Sequence, residues 1–219
     1  MWNTIGVVPL INEQEIRNGL SAIRMNRRYV NILSAILINV GYGYARTPIR
    51  CPHTRRIGYI YQSINLVPDL SIKENIALPG YIAGNKKKDI LSRAAELMNA
   101  MDIDGQRNRL PSQTSGGQQQ RAAIARALIN SPDIIFADEP TGSLNMEHGT
   151  AVLDILTEIH RKGQSVVMVT HDIKAACRAD RLIYIQDGKI GGILEFDTYD
   201  EHQIQDREAI IFALVMGKE

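Results

Sequence analysis

Cys51 and Cys177 are the only cysteines in 219 residues, so no disulfide framework holds this chain together. No Cys/His cluster has the spacing of a zinc site. No apolar run is long enough to span a bilayer. Tyr29 to Val40 comes nearest, and it is short and interrupted by Asn31 and Asn39. The opening Met-Trp-Asn-Thr lacks the basic start and long apolar stretch of a secretory signal. An excess of charge of one sign is missing too. Lys and Arg number 25 against 24 Asp and Glu, a formal net charge of +1, so there is no basic field for nucleic acid. What is present is ordinary for a globular chain: 44% hydrophobic and 22% charged residues argue against disorder. The length suits one domain, or one domain with an appendage, large enough to bury a core without cross-links. The expectation is a soluble, reduced, cytoplasmic α/β domain.

Residues 1–55 carry no sustained period and read as an atypical segment. From Ile57 the pattern becomes regular. Ile57-Gly-Tyr-Ile-Tyr reads as a strand ending at Gln62. Ser71-Ile-Lys-Glu74 is a capping box, which predicts a helix that stops near Pro79-Gly80. Lys86 to Met101 is amphipathic, with Ile90, Ala94, Leu97, Met98 and Met101 on one face. A second Ser-x-x-Gln start at Ser115 predicts a helix to Asn130, broken by Pro132. Asp133 to Asp138 and Ser165 to Thr170 are apolar runs of the kind buried in parallel sheets. Thr150 to His160 reads as a helix between them, and Ile173 to Arg178 as a short helix after them. Arg181 to Leu194 reads as a hairpin turning at Asp187-Gly188. The tail from Asp197 ends in Ala209 to Met216, which reads as a strand or helix covering the sheet, the alternative being a membrane-surface contact that lacks the basic face such helices use. Helices alternating with buried strands predict an α/β sheet with crossover helices.

Four features fall at strand ends or helix starts, where α/β proteins place ligands. Ser115-Gly116-Gly117-Gln118 opens a helix, whose first turn offers unpaired N–H groups and partial positive charge, with glycines that let an anion approach. Asp138-Glu139 ends a strand, one carboxylate suited to Mg²⁺ and the next to a water. His171 ends the next strand, within reach of a terminal phosphate. Gln62 ends the first and could offer an amide oxygen to Mg²⁺ or water. Taken singly, each has a plain alternative: a capped helix start, an acidic loop before Pro140, a turn residue, a surface glutamine.

Together they resemble the ATP-binding-cassette ATPases. Ser115-Gly-Gly-Gln-Gln-Gln-Arg-Ala-Ala-Ile-Ala-Arg-Ala-Leu128 resembles the family's signature motif, and Asp133-Ile-Ile-Phe-Ala-Asp-Glu-Pro-Thr-Gly142 its Walker B strand and catalytic Glu. Ser143-Leu-Asn145 sits where the D-loop lies, Val169-Thr-His-Asp172 resembles the switch-histidine segment, and Ile57 to Gln62 with Asn65 to Pro68 the Q-loop. The likeness covers about residues 55–195 in family order. It looks closest to the group serving lipoprotein release, macrolide export and bacitracin-type antimicrobial-peptide resistance. Gly58 to Gln62, Asn75 to Pro79 and Thr141 to Leu144 carry that finer match.

The resemblance implies a P-loop-NTPase-like, mostly parallel sheet with flanking helices. It implies a core at 56–196, a helical signature subdomain at about 73–127, a tail at 197–219 and an incomplete N-terminal part. It implies ATP and Mg²⁺ as ligands. Asp138 would hold the metal, joined by Gln62, which would sense the γ-phosphate. Glu139 would polarise water and His171 would clamp the γ-phosphate. Ser115, Gly116, Gly117 and Gln118 would bind the ATP held by an opposing subunit, and Asn145 would couple the two. Implied partners are an integral membrane permease, docked along Asn65 to Gly80, and a second ATP-binding subunit, at the cytoplasmic face of the membrane. The reaction implied is ATP hydrolysis coupled to export. Two positions depart from the family: Thr114 stands where Leu is usual, and Asn145 where Asp is usual.

The P-loop is missing. No G-x-x-x-x-G-K-[ST] occurs in the chain, and Gly41-Tyr-Gly-Tyr-Ala-Arg46 has neither the spacing nor the Lys. Asn31-Ile-Leu33 resembles the apolar face of the helix that follows a P-loop, without a glycine nest before it. Each lost charge-assisted hydrogen bond costs ~1.5–3 kcal/mol, so weak ATP binding by the lone chain is expected. Three explanations compete: an upstream reading shift, a signature donor in a heterodimer, and an unrecognised phosphate site near the start. The abrupt change of pattern at Ile57 favours the first. A catalytically impaired cassette that serves as signature donor or regulatory module is the alternative function.

Overall fold

Short runs of β-branched residues stack as parallel strands in the computed structural model, which describes residues 4–7 and 56–216. Strands β2 (Ile57–Ile60), β3 (Ile134–Asp138) and β4 (Ser165–Thr170) lie side by side, with Ile57 opposite Ile134 and Ile134 opposite Ser165. Both ladders are parallel, so all three strands end at one edge. Alternate side chains of β3 and β4 are buried, Ile135, Ala137, Val166 and Met168 among them. A hairpin of β5 (Arg181–Gln186) and β6 (Lys189–Glu195) closes the far side, as its Asp187-Gly188 turn predicts. Asp187 and Gly188 both take positive φ, the requirement of such a tight turn.

Between β4 and β5 runs β1 (Thr4–Val7), giving the order β2-β3-β4-β1-β5-β6. It is antiparallel to both neighbours. Ile5 faces Thr170 and Val7 faces Met168, so β1 leads away from the edge where β3 and β4 end. The sequence gives no sign of this strand, because four residues carry no measurable period. The expected features at Tyr29 to Val40 and Gly41 to Arg46 lie outside the described residues.

Helices α1 (Ile72–Ile82), α2 (Lys87–Ala100) and α3 (Gly116–Leu128) pack together between β2 and β3 in sequence. Their shared core is Ile72, Ile76, Ala94, Leu97, Met98, Ala122 and Ile124. Helix α1 continues through Pro79 to Ile82 and does not stop at Pro79-Gly80. The proline gives up one hydrogen bond. Burial of Ile72 and Ile76 before it and of Gly80 after it outweighs that loss. Helix α4 (Met146–Arg161) begins before the expected Thr150, because Asn145 caps it: its Oδ1 accepts from the His148 N–H at 2.9 Å. Helix α5 (Ile173–Ala176) is one turn. The tail forms helix α6 (Ile204–Met216), which covers the core through Ile211 with Leu214 and Val215 partly packed. Its Ile210, Phe212 and Met216 stay exposed.

Candidate active site

The carboxyl edge of β3 and β4 gathers the predicted acid and histidine. Glu139 follows β3 with φ at +43°, in the left-handed region. Such a conformation costs ~1–3 kcal/mol in a non-glycine residue and persists where neighbours hold it. Here the Glu139 N–H donates to Val169 O at 2.8 Å, and its C=O accepts from Gly142 N–H at 3.0 Å. The twisted backbone aims the side chain across β4. Glu139 Oε1 lies 2.7 Å from His171 Nδ1, and Thr170 Oγ1 donates to Oε2 at 3.2 Å. The Glu139 side chain is 14% exposed and that of His171 61%, so the acid is recessed and the imidazole faces outward. A carboxylate at Nδ1 assigns the proton of neutral His171 to that nitrogen and leaves Nε2 for a ligand. Thr170 is buried, and its Oγ1 also accepts from the Asp172 N–H at 3.0 Å.

Asp138 sits one residue back, at the strand end. Burial, then the Glu139 charge beside it, raise its carboxyl above the usual range. On the neighbouring strand, burial followed by the charge of Asp138 pushes the Tyr59 phenol to about 12. Among the described residues no three His, Cys, Asp or Glu side chains converge as a closed metal cage. Gln62 is exposed just past β2. Its carbonyl accepts from Ser143 Oγ at 3.3 Å, and its Nε2 lies 3.1 Å from where a Cβ on Gly142 would stand. The structure thus places Gln62 against the loop that follows Glu139.

Ser115 and Gln118 form the predicted capping box. Ser115 Oγ accepts from the Gln118 N–H at 3.3 Å, and Gln118 Oε1 accepts from the Ser115 N–H at 3.0 Å. Those two oxygens are occupied internally. The Gly116 and Gly117 N–H groups have no acceptor among the described residues, as an anion-binding helix start requires. Gly117 is buried under His148: a Cβ there would come within 2.7 Å of the ring Cδ2. Leu144 covers Gly116 at 3.5 Å. The segment of Leu144, Asn145 and His148 therefore lies against the glycine face of α3. Asn145, implied as the coupling residue, spends its side-chain oxygen on the α4 cap.

Three residues outside the predicted set tie these parts together. Gln120 is fully buried and its Nε2 donates to Pro140 O at 2.8 Å, linking α3 to the acidic loop. Arg126, four-fifths of the way along α3, donates to Asn65 O at 2.6 Å and Ile64 O at 2.9 Å. Asn75 is fully buried; it accepts from the Val67 N–H at 2.7 Å and donates to Val67 O, Leu70 O and Ser71 O. Helix α3 thus holds the loop after Gln62 at one end and the loop after Glu139 at the other. The only sequence signals were polar residues at inward helix positions.

An acid with positive φ, paired with a histidine, thus stands on the carboxyl edge of a parallel α/β sheet beside a glycine-opened helix start. Comparison with known proteins gives the class. The family model described as ABC transporter matches residues 32–142. Over 153 residues the chain is 44% identical to the macrolide export ATP-binding/permease protein MacB of Mannheimia succiniciproducens, covering 70% of this chain and 23% of that one. MacB of Escherichia coli is 47% identical over 134 residues, 61% of this chain and 21% of its own. The chain therefore spans less than a quarter of these relatives. A dimeric post-hydrolysis structure of an ATP-binding cassette bound to ADP and Pi superposes with a TM-score of 0.59 at 36% identity, covering 67% of this chain and 65% of that one. A dimeric bacterial ABC transporter cassette gives 0.59 at 37%, with the same coverage. The chain belongs to the ABC transporter family, as an ATP-binding domain. The family match starts at residue 32, upstream of the first recognisable motif, so the likeness is not confined to the text after Ile57. Among the described residues no helix is long and apolar enough to cross a membrane.

Proposed function

We propose that the chain energises an exporter as one of two ATP-binding subunits that close around Mg·ATP, peripheral to a membrane permease at its cytoplasmic face. The observation that carries this is the locked pair of Glu139 and His171 on the carboxyl edge, with Oε1 2.7 Å from Nδ1. Glu139 accepts the proton of the attacking water, and His171 meets the terminal phosphate through Nε2. Asp138 and Gln62 supply the hard oxygens that Mg²⁺ prefers, and the raised Asp138 carboxyl is a charge that a divalent cation relieves. Bound there, the ion would neutralise phosphate charge. The free N–H groups of Gly116 and Gly117 face the γ-phosphate of ATP held by the opposing subunit. The stretch from Asn65 to Gly80, whose first loop Asn75 and Arg126 hold and where Val67 is exposed, receives the permease.

A specific observation favours a narrower second reading. Strand β1 runs antiparallel between β4 and β5, so its carboxyl end, Val7, lies at the edge opposite Glu139 and His171. The sequence also holds no glycine-lysine loop of the P-loop pattern to receive the α- and β-phosphates. In this reading the competent site joins Ser115 to Gln118 of this chain to the phosphate cradle of a second subunit. The test mixes the chain with a P-loop-bearing cassette and labelled ATP. Loss of hydrolysis on Gly116→Asp together with trapped nucleotide on Glu139→Gln supports the full ATPase subunit. Loss on Gly116→Asp with Glu139→Gln silent supports the signature donor. Silence of both contradicts either.

A further inference from the structure

Helix α6 is apolar nearly all round from Ala209 to Met216. Such a helix is ordinarily enclosed. Here Ala209, Phe212, Ala213 and Met216 form an outward stripe at spacings of three and four, with Ile210 beside it. Ile210, Phe212 and Met216 are 46%, 45% and 65% exposed. The charged side chains leading into the stripe are mostly acidic, with His202 and Arg207 between them. Asp197, Asp200, Glu201, Asp206 and Glu208 all fall within twelve positions. Arg207, the basic residue among them, is buried, with its guanidinium on Cys177 O, Ala179 O and Asp197 O and against the rings of Phe196 and Tyr199. Arg161 reaches the segment but binds Tyr199 O. Glu201, Asp206 and Glu208 make no ion pair among the described residues. Asp206 stands one turn before Ile210 and Glu208 one turn before Phe212, so acids flank the apolar face on both sides at its start.

We propose that this face docks a basic amphipathic helix, its apolar side on Ala209 to Met216 and its Lys or Arg residues against Glu201, Asp206 and Glu208. The charge pattern selects that occupant. A second copy of α6 packed parallel would bring like charges together, an antiparallel one would offer the acids no cation from Ala209 to Met216, and an anionic lipid surface would meet the same acids. Cytoplasmic segments of membrane proteins are rich in Lys and Arg, so the source is a cytoplasmic helix of the membrane partner. That source rests on the function proposed above. Five side chains on one helix face are few beside the ~20–30 residues a side of a stable interface, so the contact is weak and transient.

The test titrates the full chain, without nucleotide, into a labelled helical peptide with a leucine face flanked by lysines. The expected result is saturable binding that weakens with salt. It falls at least ~tenfold, or ~1.4 kcal/mol, on Phe212→Ser and on the pair Asp206→Asn with Glu208→Gln. A glutamate-flanked peptide with the same leucine face stays unbound. Circular dichroism verifies that Phe212→Ser is folded; Met216→Gln, more exposed, takes its place if it is not. Equal binding of both peptides overturns the proposal, as does indifference to folded Phe212→Ser or Met216→Gln. So does binding to phosphatidylserine vesicles, or self-association that Phe212→Ser abolishes. Because no arm contains ATP, its failure leaves the hydrolysis result standing. A failed hydrolysis test in turn leaves the peptide binding intact and removes only its assigned source.

Discussion

At Gly117 the missing side chain is imposed by a residue far along the sequence. His148 lies where a Cβ would stand, 2.7 Å from its ring Cδ2. Gly117→Ala is therefore expected to cost ~1–3 kcal/mol, the range for overpacking. His148→Ala in the same chain should restore most of that, a coupling read from urea midpoints of the double-mutant cycle. At Asp138 the sign of the pH effect follows from the raised carboxyl. Such a group adds stability below its unfolded pKa and loses it as pH rises through the folded value. Asp138→Asn, without Mg²⁺, should melt above the parent at pH 7, and the gap should close below pH ~4. A lower melting point at pH 7 would contradict that reading. Ser115, Asp138, Glu139 and His171 were legible because each motif is local in sequence. Gln120, Arg126 and His148 were not, since what they touch lies 20 to 62 residues away or across a helix crossing.

Among the elements, the capped helices were the most readable. Ser71 with Glu74 and Ser115 with Gln118 close the boxes their spacing predicts. The errors had two sources: burial carries α1 across Pro79, and the local Asn145 cap, not weighed beside the apolar period, starts α4 early. The tail was ambiguous because Ala209 to Met216 is apolar without a clear face. Its helix is secured by Arg207, whose guanidinium meets four backbone carbonyls, those of Cys177, Ala179, Asp197 and Thr198. Arg207→Ala should lower stability by about 3 kcal/mol or more, since several charge-assisted bonds go at once. Urea denaturation checks this. A cost under ~1 kcal/mol would mean that α6 is not fastened to α5 and the sheet in this way.

For the molecule as a whole, the candidate acid and histidine share one edge of the sheet, while the sequence holds no P-loop pattern. The parallel order of β2, β3 and β4 followed from their apolar runs, and it delivers Asp138, Glu139 and His171 to one edge. The reversed β1 could not be foreseen from Thr4 to Val7, whose direction is set by the strands on either side. Among the described residues its carboxyl end, Val7, lies at the edge away from Glu139 and His171, and the sequence holds no G-x-x-x-x-G-K-[ST] pattern. The most direct test is calorimetric titration of Mg·ATP into the purified chain, alone and then mixed with a P-loop-bearing cassette. The account predicts no tight uptake alone, and uptake by the mixture that Gly116→Asp in this chain abolishes. Tight uptake by the lone chain would contradict it.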